Sequence, residues 1–291
     1  MNIIFGIDGG LGKSIMATVI VEAIKKKYKK SNLIVVTAYP DVFLHNPYVN
    51  RCLKGDNGNR LYKEYIKDQK CKIFVANPYH TDDFLQNKKH LFYIWCELYG
   101  LKYNNEVPQI FLTQSEIDYY KSVYKVDKPI FAIQTHGGGG EQAQRYNWAR
   151  DLPNSTIENI INQFKDEYTI CHIKRKDQPT FANTLQALDG FRSIAVLLAI
   201  STKRLFIDSF AQHLSSALNL PAVVCWVTTS PHCFGYELHK NIISNQFNIN
   251  PLYEHPNYQP FLLTEDIKTM PYKNLDDVYD DETIIKKILS L

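Results

Sequence analysis

The chain has 291 residues, which is long enough for one large or two ordinary domains that each bury a core. With 45% hydrophobic and 22% charged residues it has the composition of a soluble globular protein, and no apolar run reaches the ~18–20 residues that span a bilayer. Six scattered cysteines without a Cys-x-x-Cys pair disfavour a zinc site or a disulfide framework and favour free thiols. The N-terminus has no basic leader, so we expect a cytoplasmic protein without a signal peptide.

The net charge of +3 is unevenly distributed along the chain. Residues 1–125 contain 18 Lys and Arg against 12 Asp and Glu, whereas residues 126–291 contain 15 against 18. A basic first half favours an anionic partner on that side of the molecule. The alternative is that the run from Lys25 to Lys30 is the solvated end of a helix.

Strands and helices alternate along the first half. Short apolar runs predict strands at residues 3–7, 33–37 and 72–76, of which 33–37 and 72–76 should be buried. Apolar residues at helical spacing predict helices at residues 14–28 and 90–101, and the second of these should end near Gly100. This alternation is typical of parallel sheets built from βαβ units.

A second series of the same kind begins near residue 129. The predicted strands are residues 129–134, 168–173, 204–209 and 221–227, and the predicted helices are residues 155–164, 193–201, 210–219 and 281–291. The first of these helices opens with Ser155 and Thr156, which favours a side-chain cap. We therefore expect two α/β domains, residues 1–125 and 126–291, and each domain opens with a strand that runs into a glycine-rich turn.

The first glycine-rich turn, residues 9–14 (GGLGKS), matches the deviant phosphate loop of partition-type ATPases except that Asp8 stands where that loop carries Lys. The strict phosphate loop would need Gly at Ile7. The next strand leads to Asp41 beyond a proline, whereas Mg²⁺ chemistry needs a carboxylate at a strand end. These departures disfavour a P-loop ATPase, which stays only as an alternative. A glycine turn at a helix N-terminus favours anions in general, so it would suit the diphosphate of a nucleotide-sugar as well as ATP.

A second block of motifs lies further along the chain. Residues 208–213 (DSFAQH) join a strand to a helix of small residues, Pro221 leads into the next strand, and residues 228–231 (TTSP) form a turn. This order resembles the heptosyltransferase-like glycosyltransferase family 9, whose members carry Asp-Ser/Thr-Gly-x-x-His, a Pro-led strand and a Gly-x-Thr-x-Pro turn. Phe210 and Val227 stand where the family has glycine.

The resemblance covers most of the chain in the same order. Residues 150–153 (RDLP) take the place of the family's Lys/Arg-x-Trp-Pro, and residues 2–24, 33–40 and 46–53 match its opening strand, turn, helix and second strand. Lys13 stands where the family has its catalytic Asp. Asp8 is the substitute base, because it follows the first strand at the sheet edge where open α/β sheets bind ligands.

The resemblance implies a GT-B fold, in which two Rossmann-like α/β domains face each other across a cleft. It implies an enzyme that transfers a hexose, heptose or pentose from a nucleotide-sugar to a hydroxyl acceptor, with inversion, without a metal and with no cofactor beyond the nucleotide-sugar co-substrate. Basic side chains and helix dipoles would stabilise the diphosphate. The catalytic candidates are Asp8 and Lys13, the acceptor-side glycines are Gly9, Gly10 and Gly12, and the donor-binding candidates are His136, Gly137, Gly138, Arg150, Asp208, Ser209 and His213.

Structural alternatives stay open for several of these residues. His213 could be a packed core histidine, Asp208 could cap its helix, and Arg150 could be an ordinary surface residue. The four glycines at 137–140 favour either close backbone approach to a ligand or a mobile loop. The basic residues 174–176 leave the base of the donor nucleotide undetermined.

The acceptor stays open between two classes of anionic partner. One is a glycan of the lipopolysaccharide type, and the other is a hydroxymethylated base in phage DNA, in which case the host cell would be a phage-infected bacterium. The loops at 39–66, rich in Tyr, Phe and Lys, could then assist base flipping. A non-catalytic nucleotide-sugar-binding protein is the third functional class, and the oligomeric state is not determined by the sequence.

Overall fold

The computed structural model describes residues 1–55, 58–138, 149–227, 229–244 and 278–291. Two wholly parallel sheets lie within these ranges. The first contains β1 (Asn2–Ile7), β2 (Asn32–Thr37), β3 (Arg51–Lys54) and β4 (Cys71–Phe74), in the order β3-β2-β1-β4. The second contains β5 (Ile130–Gln134), β6 (Thr169–His172), β7 (Thr184–Gln186), β8 (Lys203–Ile207), β9 (Val223–Trp226) and β10 (Lys240–Ile243), in the order β10-β9-β8-β5-β6-β7.

Helices connect these strands, as the alternation of the sequence predicts. The α-helices of the described ranges are α1 (Leu11–Lys27), α2 (Gly58–Leu61), α3 (Asp82–Leu85), α4 (Leu91–Leu98), α5 (Gln114–Tyr124), α6 (Asn154–Phe164), α7 (Phe191–Ile200), α8 (Phe210–Ala217), α9 (Pro231–Phe234) and α10 (Asp281–Leu289). Short 3₁₀ turns occupy Pro40–Phe43 and Pro78–His80, and Tyr62–Ile66 is a π turn. None of the helices described is long and apolar enough to cross a membrane.

Two local predictions are wrong. The run at residues 72–76 forms an edge strand that pairs only with β1 among the described strands, so it is not fully buried: Ile73 is 48% and Val75 63% exposed. Helix α6 begins at Asn154 after Pro153 and has no side-chain cap, which places Ser155 inside the helix. Other predictions are confirmed: α4 ends just before Gly100, whose φ is +61°, and all six cysteines are free.

Helix α1 is the centre of the molecule. Every residue from Lys13 to Ile24 is buried, so the helix has no solvent face along most of its length. It packs against β1 and α4 of the first half and against α8 of the second half. One hydrophobic cluster therefore runs from Ile3 in β1 to Trp226 in β9. The two sheets share this core, which fixes how their carboxyl edges face each other.

Polar contacts also join the two halves of the molecule. The guanidinium of Arg192 in α7 donates to Glu116 in α5 at 2.7 Å and to the carbonyl of Phe111 at 2.6 Å. His90 Nε2 lies 3.0 Å from the carbonyl oxygen of Gly235 on the opposite half. The predicted domain boundary after residue 125 stays a prediction, and α5, which precedes it, packs on the second half.

We predict that Gly12→Val destabilises the protein by about 1–3 kcal/mol, because overpacking a filled interface forces neighbours to move. A Cβ at Gly12 would lie 3.0 Å from His213 Cδ2 and 3.5 Å from Phe210 Cα, between α1 and α8. Urea unfolding of the full chain measures the loss. Gly55→Ala is the control, because a Cβ at Gly55 meets nothing within 4 Å. Equal stability of the two variants would contradict this account of the interface.

Candidate functional site

A cavity of about 950 Å³ lies between the carboxyl edges of the two sheets. The first half contributes the turn after β1, residues 38–41 after β2, and Tyr79 and Phe84. The second half contributes the segments that follow β5, β6, β7 and β8. All of the site residues predicted from the sequence line this cavity except Asp8, which directly precedes the lining residue Gly9. The fold thus brings together residues that lie far apart in sequence.

Asp8, Lys13 and Asn77 form one hydrogen-bonded network at the end of β1. The Lys13 ammonium donates to Asp8 Oδ1 at 2.5 Å and to Asn77 Oδ1 at 2.9 Å. Asn77 Nδ2 in turn donates to Asp8 Oδ2 at 3.0 Å. Both carboxylate oxygens of Asp8 therefore have a fixed partner, although its side chain is 65% exposed.

The charges within this network decide what each member can do. Burial alone would raise the pKa of Asp8, but the hydrogen bond and charge of Lys13 hold that pKa below its ordinary value. Burial lowers the pKa of Lys13, and Asp8 offsets part of this effect. Asp8 is therefore an ionised carboxylate at neutral pH. Lys13, with a side chain only 4% exposed, orients that carboxylate, and its positive charge is neutralised by this ion pair.

The phosphate-loop alternative does not fit this geometry. In such a loop the Lys reaches the phosphates and the following Ser hydroxyl binds Mg²⁺. Here Lys13 is bound to Asp8 and Asn77, and Ser14 is buried with its hydroxyl 3.2 Å from Thr37 Oγ1. In this structure both side chains therefore have partners within the protein, and a nucleotide would have to displace them.

Gln134, a residue that the sequence reasoning missed, satisfies the start of α8. Its Nε2 donates to Ser209 Oγ at 3.1 Å, and its Oε1 accepts from the backbone N–H of Ala211 at 3.2 Å. A phosphate oxygen could take the Ala211 amide only if Gln134 moved, whereas the Ser209 hydroxyl accepts from Gln134 and can still donate. Gln134 is buried at the end of β5 and lines the cavity.

Asp208 and His213 are both buried beside α8. Asp208 Oδ1 accepts from Gln212 Nε2 at 3.3 Å, and α8 has no side-chain cap, so Asp208 does not cap it. His213 Nδ1 lies 2.8 Å from the Tyr236 hydroxyl, and its ring packs on Gly12. Burial lowers the pKa of His213 to about 3, so this histidine is neutral and combines core packing with a place on the cavity wall.

The second glycine-rich turn follows β5. A Cβ on Gly137 would lie 2.8 Å from Arg150 Cδ, so glycine there permits the close passage of that side chain. The Gly137 N–H donates to Asp151 Oδ1 at 2.9 Å, and Gly138 has a φ of +71°. His136 is buried with Nδ1 2.8 Å from Thr135 Oγ1. The predicted glycines at 139 and 140, and Thr228, lie outside the described residues.

Basic side chains gather on the second-half wall of the cavity. They are Arg150, Lys174, Arg175 and Lys176. Arg175 donates to the carbonyl of Gly138 at 2.7 Å and pairs with Asp177. The guanidinium of Arg150 makes no hydrogen bond to another described residue. Arginine forks suit phosphate oxygens, so this wall is chemically suited to a diphosphate.

The basic run that ends α1 lies elsewhere and serves the fold. Lys25 donates to the carbonyl of Ser31, Lys26 pairs with Glu106, and Lys27 donates to the carbonyl of Gly100. Because α1 starts at the cavity, these lysines lie at its opposite end. The prediction that the basic first half marks an anion-binding surface at the site is therefore not supported by these residues.

Sequence signals for the missed residues exist but are weak. Asn77 follows the β4 run and precedes a proline, which marks a strand end at the same sheet edge as Asp8. Gln134 closes an apolar strand just before the glycine-rich turn. Their partners Lys13 and Ser209 lie 64 and 75 residues away, so only the tertiary fold shows these contacts.

Solved structures of the same architecture are known. A glycosyl transferase family 9 protein from Veillonella parvula DSM 2008 aligns over 99% of this chain and 96% of its own, at 15% identity and a TM-score of 0.66. E. coli ADP-heptose lps heptosyltransferase II aligns over 90% of this chain and 99% of its own, at 14% identity and a TM-score of 0.67. The iron-containing dodecameric glycosyltransferase TibC from enterotoxigenic E. coli aligns over 99% of this chain and 75% of its own, at 12% identity and a TM-score of 0.69.

No protein-family model matches the chain, and no curated protein sequence matches it. The likeness to solved structures nevertheless shows the fold. The chain has the architecture of glycosyltransferase family 9, so the GT-B arrangement predicted from the sequence, two α/β units facing across a cleft, is confirmed.

We predict that Lys13→Met raises the pKa of the Asp8 carboxyl, because the substitution removes the hydrogen bond and charge that lower it. Carboxyl ¹³C shifts of aspartate-labelled protein, followed against pH, measure the change, and Asp8→Asn identifies the resonance. Lys29→Met, at an exposed position beyond α1, is the matched control and should leave the Asp8 midpoint in place. An unchanged midpoint in Lys13→Met would contradict the network.

We also predict a steep loss of stability in mild acid. Burial lowers the pKa of His90, His136 and His239 to about 4 and that of His172 and His213 to about 3. The unfolded chain takes up these protons near pH 6.5, so stability is complete above that pH and falls between about pH 6.5 and 4. The expected loss is on the order of 1–2 kcal/mol per histidine at pH 5.

Urea unfolding at pH 7.5 and pH 5.5 measures this loss. His239→Asn should reduce the pH dependence, because it removes one of the buried groups. His45→Asn is the matched control: His45 is exposed and has a φ of 62°, a conformation that Asn tolerates, so this variant should keep the wild-type pH dependence. Equal stability of the wild type at the two pH values would refute the linkage.

Proposed function

We propose that the protein is a glycosyltransferase that moves a sugar from a nucleotide-sugar to a hydroxyl acceptor. The observation that carries this proposal is the polarity of the cavity between the two sheets. The second-half wall carries the basic side chains. The carboxylate of Asp8 lies beside the first-half wall, next to the lining residue Gly9 and bound to the lining residue Lys13. A sugar transfer needs both: cations for the leaving diphosphate and a base for the attacking hydroxyl.

The donor would lie on the wall of the second half. Arg150 would bind phosphate oxygens, supported by Lys174 and Arg175, and no metal would be needed for that charge. Gly137 lets the Arg150 side chain pass close to the backbone, which holds its stem against the wall. Two similar solved structures, E. coli heptosyltransferase WaaC with ADP and TibC in complex with ADP-D-beta-D-heptose, support a nucleotide-sugar donor here.

The acceptor hydroxyl would approach from the first half. Its oxygen attacks the anomeric carbon, the bond from that carbon to the phosphate oxygen breaks, and the nucleoside diphosphate leaves toward the basic wall. Asp8 accepts the hydroxyl proton. A single displacement of this kind inverts the anomeric configuration. The lowered pKa of Asp8 makes it a weak base, so the proton leaves as the new bond forms and the hydroxyl becomes acidic.

Lys13 and Asn77 are positioning residues in this mechanism. Lys13 stands where family 9 has its catalytic Asp, and its ammonium holds one oxygen of Asp8 while Asn77 holds the other. In this chain the carboxylate, Asp8, lies in the turn before α1, and Lys13 within α1 supplies the counter-charge. Such an enzyme would work in the cytoplasm of a bacterium, or of a phage-infected bacterium, on a glycan or on modified DNA.

We predict that one class of nucleotide-sugar raises the thermal stability of the protein, and that ATP with Mg²⁺ does not. A ligand that binds only the folded state stabilises by about 2.7 kcal/mol at 100 times its dissociation constant. Arg150→Met should weaken binding by about 10- to 100-fold, because hydrogen bonds to charged groups contribute about 1.5–3 kcal/mol. A thermal-shift screen with UDP-, GDP-, ADP- and CMP-sugars measures both.

Arg51→Met is the matched control, because Arg51 is exposed on β3 and outside the cavity. It should bind as the wild type does. Stabilisation by ATP and Mg²⁺ alone would overturn the proposal and favour the interpretation of residues 9–14 as a phosphate loop. Binding of a nucleotide-sugar without its hydrolysis or transfer to any acceptor would favour a non-catalytic binding protein.

A further inference from the structure

The charges of the cavity are divided between its two walls. Among the described lining residues, the second half contributes four cations, and the first half contributes Lys13 alone. Lys13 gives no free positive charge to that wall, because its ammonium is paired with Asp8 at 2.5 Å. Asp41, which also lines the first-half wall, adds a carboxylate. The wall opposite the donor is therefore neutral to acidic.

The same wall presents aromatic rings. Tyr39 follows β2, lines the cavity and is 36% exposed. Tyr79 follows β4, and its ring is held in place by stacking on Phe84, with centroids 4.6 Å apart, and by the Lys13 ammonium 4.7 Å from its centroid. Rings of this kind offer an apolar face with a polar tip. Next to the carboxylates they form a surface for the C–H faces and hydroxyls of a sugar.

The basic run that ends α1 is too far away to change this balance. Lys25 lies twelve residues beyond Lys13 along α1, so about 18 Å separates them at about 1.5 Å per residue. Exposed charges are screened over about 8 Å at physiological ionic strength. The side chains of Lys25, Lys26 and Lys27 are also engaged in local hydrogen bonds. These three lysines therefore add no positive charge at the cavity.

We propose that the acceptor is an uncharged saccharide, bound by Tyr39, Asp41 and the turn after β1. This inference rests on the proposed glycosyl transfer. Carboxylates accept hydrogen bonds from sugar hydroxyls but repel phosphate and carboxylate groups. A phosphorylated glycan or a DNA strand would meet Asp41, with Asp8 next to the lining residue Gly9. Lys13, the one cation among the described lining residues of the first half, is already paired. The structure thus favours an acceptor that carries no charge near the reacting hydroxyl.

The experiment uses the full chain with the donor nucleotide that the thermal-shift screen identifies. An array of uncharged, sialylated and phosphorylated glycans, and a fluorescent duplex containing hydroxymethylcytosine, serve as probes. We expect binding to uncharged glycans only, with less than a twofold change between 50 and 300 mM NaCl. Binding to DNA would instead fall steeply with salt. Tyr39→Ala should weaken glycan binding by about tenfold, the loss of about one aromatic contact.

The double variant Lys29→Gln/Lys30→Gln is the matched control, because both lysines are exposed just beyond α1. It should bind uncharged glycans as the wild type does. Binding to phosphorylated glycans or to DNA that the double variant weakens would overturn the inference, and so would the absence of any signal on uncharged glycans. If nucleotide-sugars still bind in those cases, the proposed transfer stands. If none binds, the transfer itself fails.

Discussion

The burial of α1 on all sides is the constraint on which the rest of the structure depends. A helix without a solvent face has to be covered by something, and the first sheet covers only part of it. Helix α8 of the second half covers the remainder, and Gly12 gives the clearance that His213 needs. One packing event therefore joins the two halves and places the two sheet edges on opposite sides of a single cavity.

The Asp8 network holds a carboxylate at the end of β1, beside the cavity. A buried ammonium is costly unless it is paired, and Asp8 and Asn77 provide that pairing. The pairing in turn fixes the carboxylate and keeps it ionised. Stability and proposed catalysis thus depend on the same three side chains, and the first-half wall carries no spare positive charge.

Much of the fold follows from local sequence patterns. Apolar runs such as residues 129–134 and 204–209 identify β5 and β8, because a strand buried on both faces needs continuous apolar residues. The short strands β3, β7 and β10 are missed, since their sequences, RCLK, TLQ and KNII, lack such a run and form only where a neighbour offers hydrogen bonds. Asp8 and His136 are found because strand ends meet at one edge, whereas Asn77 and Gln134 depend on partners distant in sequence.

Gln134 determines how much free energy an anion gains by binding the Ala211 amide at the start of α8. Its amide already donates to Ser209 and accepts from Ala211, so the protein itself satisfies the Ala211 amide. A phosphate oxygen that takes the Ala211 amide exchanges one acceptor for another, and the gain is the small difference between two hydrogen bonds. For the proposed donor, the full positive charge of Arg150 would therefore separate a diphosphate from a neutral ligand more strongly than this exchange at one amide.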